Sequence, residues 1–515
     1  MESYNLLKKT TCFCFLNALL LFGSQAQSQT LDKVDYREIH RPQFHFTPPA
    51  FWMNDPNGMV YHKGVYHLFY QHYPESSVWG PMHWAHATST DLVHWKHKPI
   101  ALFPDSLGYI FSGSAVADVD NTSGFAKKGE TPLVAIFTHH DPQSEKEKKT
   151  DYQNQSLAYS LDDGNTWVKY AGNPVLKNPG IVDFRDPKVM WYEKGKKWLM
   201  TLATKDRITF YSSADLKSWK RESEFGEKAG AHGGVWECPD LFPLEVAGKT
   251  VWVLLVSINP GGPNGGSATQ YFTGDFDGSK FIPFSTQTRW IDWGTDNYAG
   301  ITWAGTAKRK IFLGWMSNWQ YANMAPTDPW RSAMTIPREL SLKKVGNDFY
   351  LASEPVKELN KIISVSNTIP SSTVKADLDL SDHVKNFNSQ YILKFSSPQI
   401  ADFSIVLSNA RGEELIIGYE KQSNRYYIDR SKSGKKNFEI GFAKKHFGPR
   451  IAQSQAMDLT LVVDVASVEL FADNGLTVMT DIFFPNQLMN KLSLRSSAGL
   501  KINDGSVSKV EGIWK

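Results

Sequence analysis

Four times along this chain a short apolar strand runs into an Asp-containing turn and re-emerges at an aromatic residue. HATSTDLVHW ends at Trp95, AYSLDDGNTW at Trp167, FYSSADLKSW at Trp219 and YFTGDFDGSKF at Phe281. An isolated hairpin is marginally stable in water, so a chain that repeats hairpins must stack them on one another. Antiparallel units of this size whose loops vary while the hairpins recur suggest the blades of a β-propeller. The alternative is coincidence among common Asp-Gly turns, and the shared order of strand, turn and aromatic in four copies argues against it. Other runs agree: GVYHLFYQHY (64–73), KKWLMTLAT (196–204) and VWVLLVSI (251–258) are short and apolar or alternating. No long stretch has a helical period, and the fold class is read as all-β.

The style changes near residue 345. Beyond it Trp almost disappears until Trp514, and LTLVVDVASVELFADNGLTVMT (459–480) reads as strands joined through Asn474-Gly475, a strong hairpin signal. These features predict a propeller over 38–345, a linker over 346–365 and a β-sandwich over 366–515.

With 41% hydrophobic and 21% charged residues the composition is globular. The formal net charge is +3 and the charges are spread along the chain, which excludes nucleic acid as a partner. The 17 Trp, 20 Tyr and 30 Phe could line a sugar-binding groove, although a large all-β core accounts for most of them. At the N-terminus Lys8 and Lys9 precede the run CFCFLNALLLF, which is too short to span a bilayer, and then GSQAQ. This predicts a signal peptide over 1–26, a protein exported to the periplasm or the extracellular space, and no integral membrane segment after cleavage. A retained anchor is the alternative. Cleavage would leave Cys238 as the one cysteine, without a disulfide partner.

Three acidic motifs carry candidate chemistry: Asn54-Asp55-Pro56, Arg185-Asp186-Pro187 and Glu237-Cys238-Pro239. Proline holds its predecessor extended, which can aim a side chain from a strand end. Singly, each motif reads as a turn or a capped strand, and WMNDPNG (52–58) in particular as a turn presenting Asp55. In a propeller, however, strand starts from different blades converge on one axis. Paired carboxyls flanking a sugar linkage are the apparatus of glycoside hydrolysis. The glycine-rich segment NPGGPNGGSATQYF (259–272) leads into a strand and not a helix, so it reads as a loop and not a phosphate cradle. His139, His140, Asp141 and His232 lack metal-ligand spacing, and ADVDNTSG (117–124) lacks the closing Glu of a calcium loop; no metal and no cofactor are expected.

WMNDPNG, FYQ (69–71), FSGSA (111–115), FRDPKV (184–189), WECPDLF (236–242) and GWMSNW (314–319) occur in the order in which similar motifs occur in glycoside hydrolase family 32, the invertases, inulinases and levanases. The resemblance spans about residues 40–345 as motifs and implies a five-bladed propeller followed by a β-sandwich. It implies Asp55 as nucleophile, Glu237 as acid/base and Asp186 as transition-state stabiliser. Asn54, Gln71, Trp79, Phe111, Ser112 and Arg185 would line the fructose subsite, with Trp319 and the stretch DWGTDNYA (292–299) as looser candidates. Ala85 and the QHYP that runs on from Gln71 depart from the family pattern and are expected at the pocket rim. Burial beside Trp236 and Cys238 would keep Glu237 protonated, while turn amides would keep Asp55 ionised. The implied activity is retaining hydrolysis of fructosyl bonds in levan, inulin or sucrose by a monomer. The alternatives are a fructosyltransferase using the same site and an inactive carbohydrate-binding propeller.

Overall fold

A computed structural model describes residues 34–514. The expected signal peptide lies outside the described residues. Asp35–Lys515 form one compact unit.

Blade one is built from Phe51–His62, Val65–Tyr73, His83–Ser89 and Lys96–Leu102, each antiparallel to the next. Four further sheets of this meander type follow, and their first strands are Tyr109–Ala117, Phe184–Tyr192, Val235–Val246 and Tyr298–Thr302. Each of these five strands packs against the next, and the fifth packs back on Phe51–His62, so the ring closes. A clip strengthens the seam: Trp330–Arg331 runs parallel to Phe51 and Trp52 and pairs with them.

The four repeated hairpins join the third and fourth strands of blades one to four. In each, an aspartate turns the chain by accepting backbone N–H groups just ahead of it: Asp91 from Val93 and His94, Asp162 from Thr166, Asp215 from Lys217 and Ser218, Asp277 from Ser279 and Lys280. Blade five makes the same connection without an aspartate, pairing Arg338–Val345 with Asp348–Pro355 across a two-residue turn. The expected linker at 346–365 is therefore not a linker. It contains the outermost strand of blade five, a 3₁₀ turn at Lys357–Ile362 and the start of the sandwich strand Ile363–Ile369.

The sandwich has two six-stranded sheets around a core that includes Leu393, Leu461, Ile405, Ile417 and Leu492, all fully buried. Asn474-Gly475 lies in the turn between Ser467–Ala472 and Thr477–Ile482, with Asp473 and Asn474 both at positive φ. The outer face of one sheet, at Val462, Phe471 and Val478, packs on Phe44, Ile336 and Leu359.

Candidate active site

Each of the five inner strands contains an extra residue relative to its partner, and Phe51–His62 contains a second between Asn57 and Val60. The breaks in register fall between Met53 and Pro56, Phe111 and Gly113, Arg185 and Lys188, Glu237 and Asp240, and Tyr298 and Ile301. A β-bulge leaves a residue unpaired, sharpens the twist and re-aims side chains. Every residue singled out by its acid–proline motif sits in one of these bulges or at its edge. Proline has no N–H to offer a ladder, and a bulge is where a strand interior tolerates it. The stretch WMNDPNG is thus not the turn its composition suggests but the bulged part of a continuous strand, Phe51–His62. Asp186 and Cys238 also have positive φ, a conformation that costs energy outside glycine and clusters at functional sites.

The bulges of blades one to four line a single cavity of about 230 Å³, and the fifth reaches it through the Tyr298 hydrogen bond to Glu237. Asn54, Asp55, Gln71, Trp79, Phe111, Ser112, Arg185, Asp186, Glu237 and Trp319 all line it, together with Met82, His140, Glu145, Gln153 and Asp183, which sequence reasoning missed. Ala85, expected at the rim, is instead buried in the blade-one core, and His72 turns away to bond the Trp52 carbonyl at 2.7 Å.

Asp55 is fixed from several sides. The wholly buried Trp52 donates its indole N–H to Asn54 Oδ1 at 2.7 Å, and Asn54 Nδ2 donates to Asp55 Oδ1 at 3.0 Å. Ser112 Oγ donates to Asp55 Oδ2 at 2.7 Å, and the Cys238 thiol lies 3.6 Å from the same oxygen. The donors are therefore side chains, not the turn amides expected. Asp186 Oδ2 accepts the Cys238 backbone N–H at 3.0 Å and faces its thiol at 3.5 Å. Glu237 Oε1 accepts Arg185 Nε at 3.1 Å and Nη2 at 3.0 Å, while Tyr298 donates its phenol to Oε2. Gln71 is almost fully buried, and its amide nitrogen has no hydrogen-bond partner among the described residues.

Trp319 is held by the glycine-rich loop: its backbone N–H donates to Ser267 Oγ at 3.2 Å, and Asn318 bonds the Ser267 carbonyl. Gly266 in that loop has φ +66, and a Cβ there would lie 2.0 Å from the Asn318 side chain, so the glycines serve close approach. Trp319 stacks on Trp52 at 5.8 Å. Within DWGTDNYA only Tyr298 reaches this site; Asp292 and Asp296 turn to the sandwich.

Comparison with known proteins decides the family. Residues 45–355 match the glycosyl hydrolases family 32 N-terminal domain, and residues 356–512 match the family 32 C-terminal domain. The chain belongs to glycosyl hydrolase family 32. It is 44% identical to a levanase of Bacillus subtilis over 99% of its length and 76% of the relative's. It is 41% identical to an extracellular exo-inulinase of Aspergillus niger, covering 90% of this chain and 93% of the relative. The solved exo-inulinase of Aspergillus awamori superposes with a TM-score of 0.85 at 37% identity, over 93% of this chain and 100% of that one. A fructofuranosidase of Schwanniomyces occidentalis complexed with fructosylnystose gives 0.84 at 32%, over 93% and 99%. The protein is a glycosidase of this family.

The electrostatics of this family 32 site differ from expectation. Burial first, and then the neighbouring Glu237 charge, push the Asp55 carboxyl above the usual range. Asp186 is pushed up to about 7 by burial and by the charges of Glu237 and Asp55, against the pull of Arg185. Glu237 faces the Arg185 guanidinium and the Tyr298 phenol. Burial opposes the Arg185 charge, but Glu237 and Asp183 outweigh it and hold the guanidinium firmly protonated. Burial and the nearby Glu237 keep Tyr298 a neutral donor, its pKa well above the ordinary phenol value.

Proposed function

We propose that the protein is an exported, monomeric, exo-acting β-fructofuranosidase that hydrolyses fructosyl bonds of fructans and sucrose with retention. The observation that carries this is the convergence of Asp55, Asp186 and Glu237, from three different blades, on one cavity. An Asp55 oxygen attacks C2 of the fructosyl unit while Glu237 gives a proton to the departing oxygen, and the C2–O bond breaks. Water then attacks C2, Glu237 takes its proton, and the bond to Asp55 breaks to release fructose. Asp186 in its ionised form stabilises the positive charge that builds on the ring in both steps. The orphaned Gln71 amide is a donor in want of an acceptor, and a fructose hydroxyl supplies one.

Exo action is supported by size. The cavity is smaller than the roughly 300–1,000 Å³ pockets that enclose a drug-sized ligand, and suits a chain end better than a threaded polymer. Export is supported by the leader-like run before residue 27 and by relatives described as extracellular. Digests of levan, inulin and sucrose test the reading. Fructose as the first product supports exo hydrolysis, an oligomer ladder would show endo action, and lengthening oligomers would show fructosyl transfer. Replacement of Asp55 by Ala should abolish turnover with the fold intact. Glu237→Gln should cost about 10²–10⁴-fold, and less on substrates with activated leaving groups.

A further inference from the structure

The cavity has an outer tier that fructosyl chemistry leaves unused. At its floor Asp186 is 5% exposed, whereas Trp79 is 39% exposed and the Glu145 side chain 53%, yet all three line the same space. A fructosyl ring with C2 between Asp55 and Glu237 occupies the lower tier, so its leaving group must lie among the residues of the upper one.

The wall that reaches this tier is one connected stack. Trp79 meets Phe111 edge-on at 6.2 Å, Phe111 stacks on His140 at 4.2 Å, and His140 Nε2 lies 3.0 Å from Glu145 Oε2. The tautomer follows from the neighbours. Gln153 Nε2 can only donate, so His140 Nδ1 accepts from it at 3.2 Å and the ring proton sits on Nε2, facing Glu145. Burial keeps this imidazole neutral against the pull of Glu145. The short helix Pro142–Lys146 that carries Glu145 is itself anchored by Asp141, which accepts the N–H groups of Gln143 and Ser144. Glu145 is thus pinned through Oε2, and no group among the described residues bonds its Oε1. On its other side Gln153 Oε1 accepts from Arg185 Nη1 at 3.4 Å, which ties this wall to the Arg185–Glu237 pair.

We propose that Glu145 and the exposed face of Trp79 form the leaving-group subsite, which moves Trp79 out of the fructose subsite that the family resemblance implied for it, and that this subsite selects an uncharged sugar over an anionic one. An aromatic face that takes a ring and a rigid carboxylate that accepts hydroxyl protons are complementary to a neutral sugar. Asp55, Asp183, Asp186 and Glu237 line the same cavity, and Arg185 is the one guanidinium or ammonium among its described lining residues. A phosphorylated leaving group would bring like charge to like charge.

This inference rests on the fructosidase reading. The test compares the wild type with Glu145→Ala and Glu145→Gln on sucrose, on methyl β-fructofuranoside, and on sucrose phosphorylated on its glucose. In Glu145→Ala the ratio of kcat/KM for sucrose to that for the methyl fructoside should fall about tenfold, the scale of one charge-assisted hydrogen bond. Glu145→Gln keeps an acceptor oxygen and should lower that ratio less, while raising kcat/KM for the phosphorylated sugar relative to plain sucrose. Wild-type protein that cleaves neither uncharged substrate overturns both readings together. An active wild type whose ratios stay the same in both variants overturns this one alone.

Discussion

Asp55 is aimed from behind by a residue that never meets solvent. The Trp52 indole fixes the Asn54 amide, and that amide fixes the carboxylate, which is the reason a Trp-Met pair leads into an acidic motif. Trp52→Phe keeps most of the ring volume but loses the N–H. It should lower kcat about tenfold with a smaller change in KM, and cost about 1–3 kcal/mol in chemical denaturation for the buried polar atom left unpaired. Asp186 makes a second prediction at this scale. Its folded pKa of about 7 lies above that of an unfolded aspartate, so the folded state binds the proton more tightly. The resulting stability is complete below the ordinary carboxylate range and is lost as pH rises through about 7. Asp186→Asn, with no proton to lose, should be inactive yet melt higher than wild type at pH 8, and the gain should vanish toward pH 4. Asp55, Asp186, Glu237 and Arg185 could be read from the sequence because each belongs to a short motif of unusual composition. Tyr298 entered only within the loose stretch DWGTDNYA and could not be singled out there, because a lone tyrosine in an apolar strand looks like core until its phenol is seen against Glu237.

The element that makes the site is the bulged inner strand, used five times. Each bulge turns one or two side chains out of the ladder and toward the axis, so residues far apart in the chain meet without a loop to carry them. Gly113 shows how tight this is. A Cβ there would lie 2.1 Å from the Ile136 carbonyl oxygen. Gly113→Ala should therefore force the blade-two bulge open, loosen the Ser112 hydrogen bond to Asp55, lower kcat and lower Tm, whereas Ser112→Ala should lower kcat with Tm nearly unchanged. The repeated hairpins were legible because aspartate turns mark them. The bulges were not, because a proline or an Asp-Pro-Asn-Gly run looks like the end of a strand when nothing shows the neighbour it pairs with. Blade five lacked the aspartate turn, and its last strand was read as linker for that reason.

Across the whole molecule, propeller and sandwich are joined by buried charge. Arg338, fully buried, donates to Asp292 at 2.9 Å, to Thr480 at 2.7 Å and to Glu469, whose other oxygen meets His45 at 2.9 Å. Arg430 pairs with Asp296 at 2.7 Å. Removing one partner from such a set strands the others, so Arg338→Met should cost about 3–5 kcal/mol and lower Tm well beyond any surface change. Burial alone would lower the His45 pKa, but Asp464 and Glu469 raise it to about 9. Its contribution to stability is complete below the ordinary histidine range and disappears as pH rises through about 9, so a fall in Tm from pH 8 to 10 should be smaller in His45→Gln. None of this was visible in sequence, because the paired groups lie from 46 to 424 residues apart and each alone looks like a surface charge.

The central claim is that Asp55 and Glu237 act on one bond in two displacements. Cleavage of sucrose in aqueous methanol tests it directly, because methanol intercepts the fructosyl group as a stable glycoside. The account predicts methyl β-fructofuranoside; methyl α-fructofuranoside would contradict it.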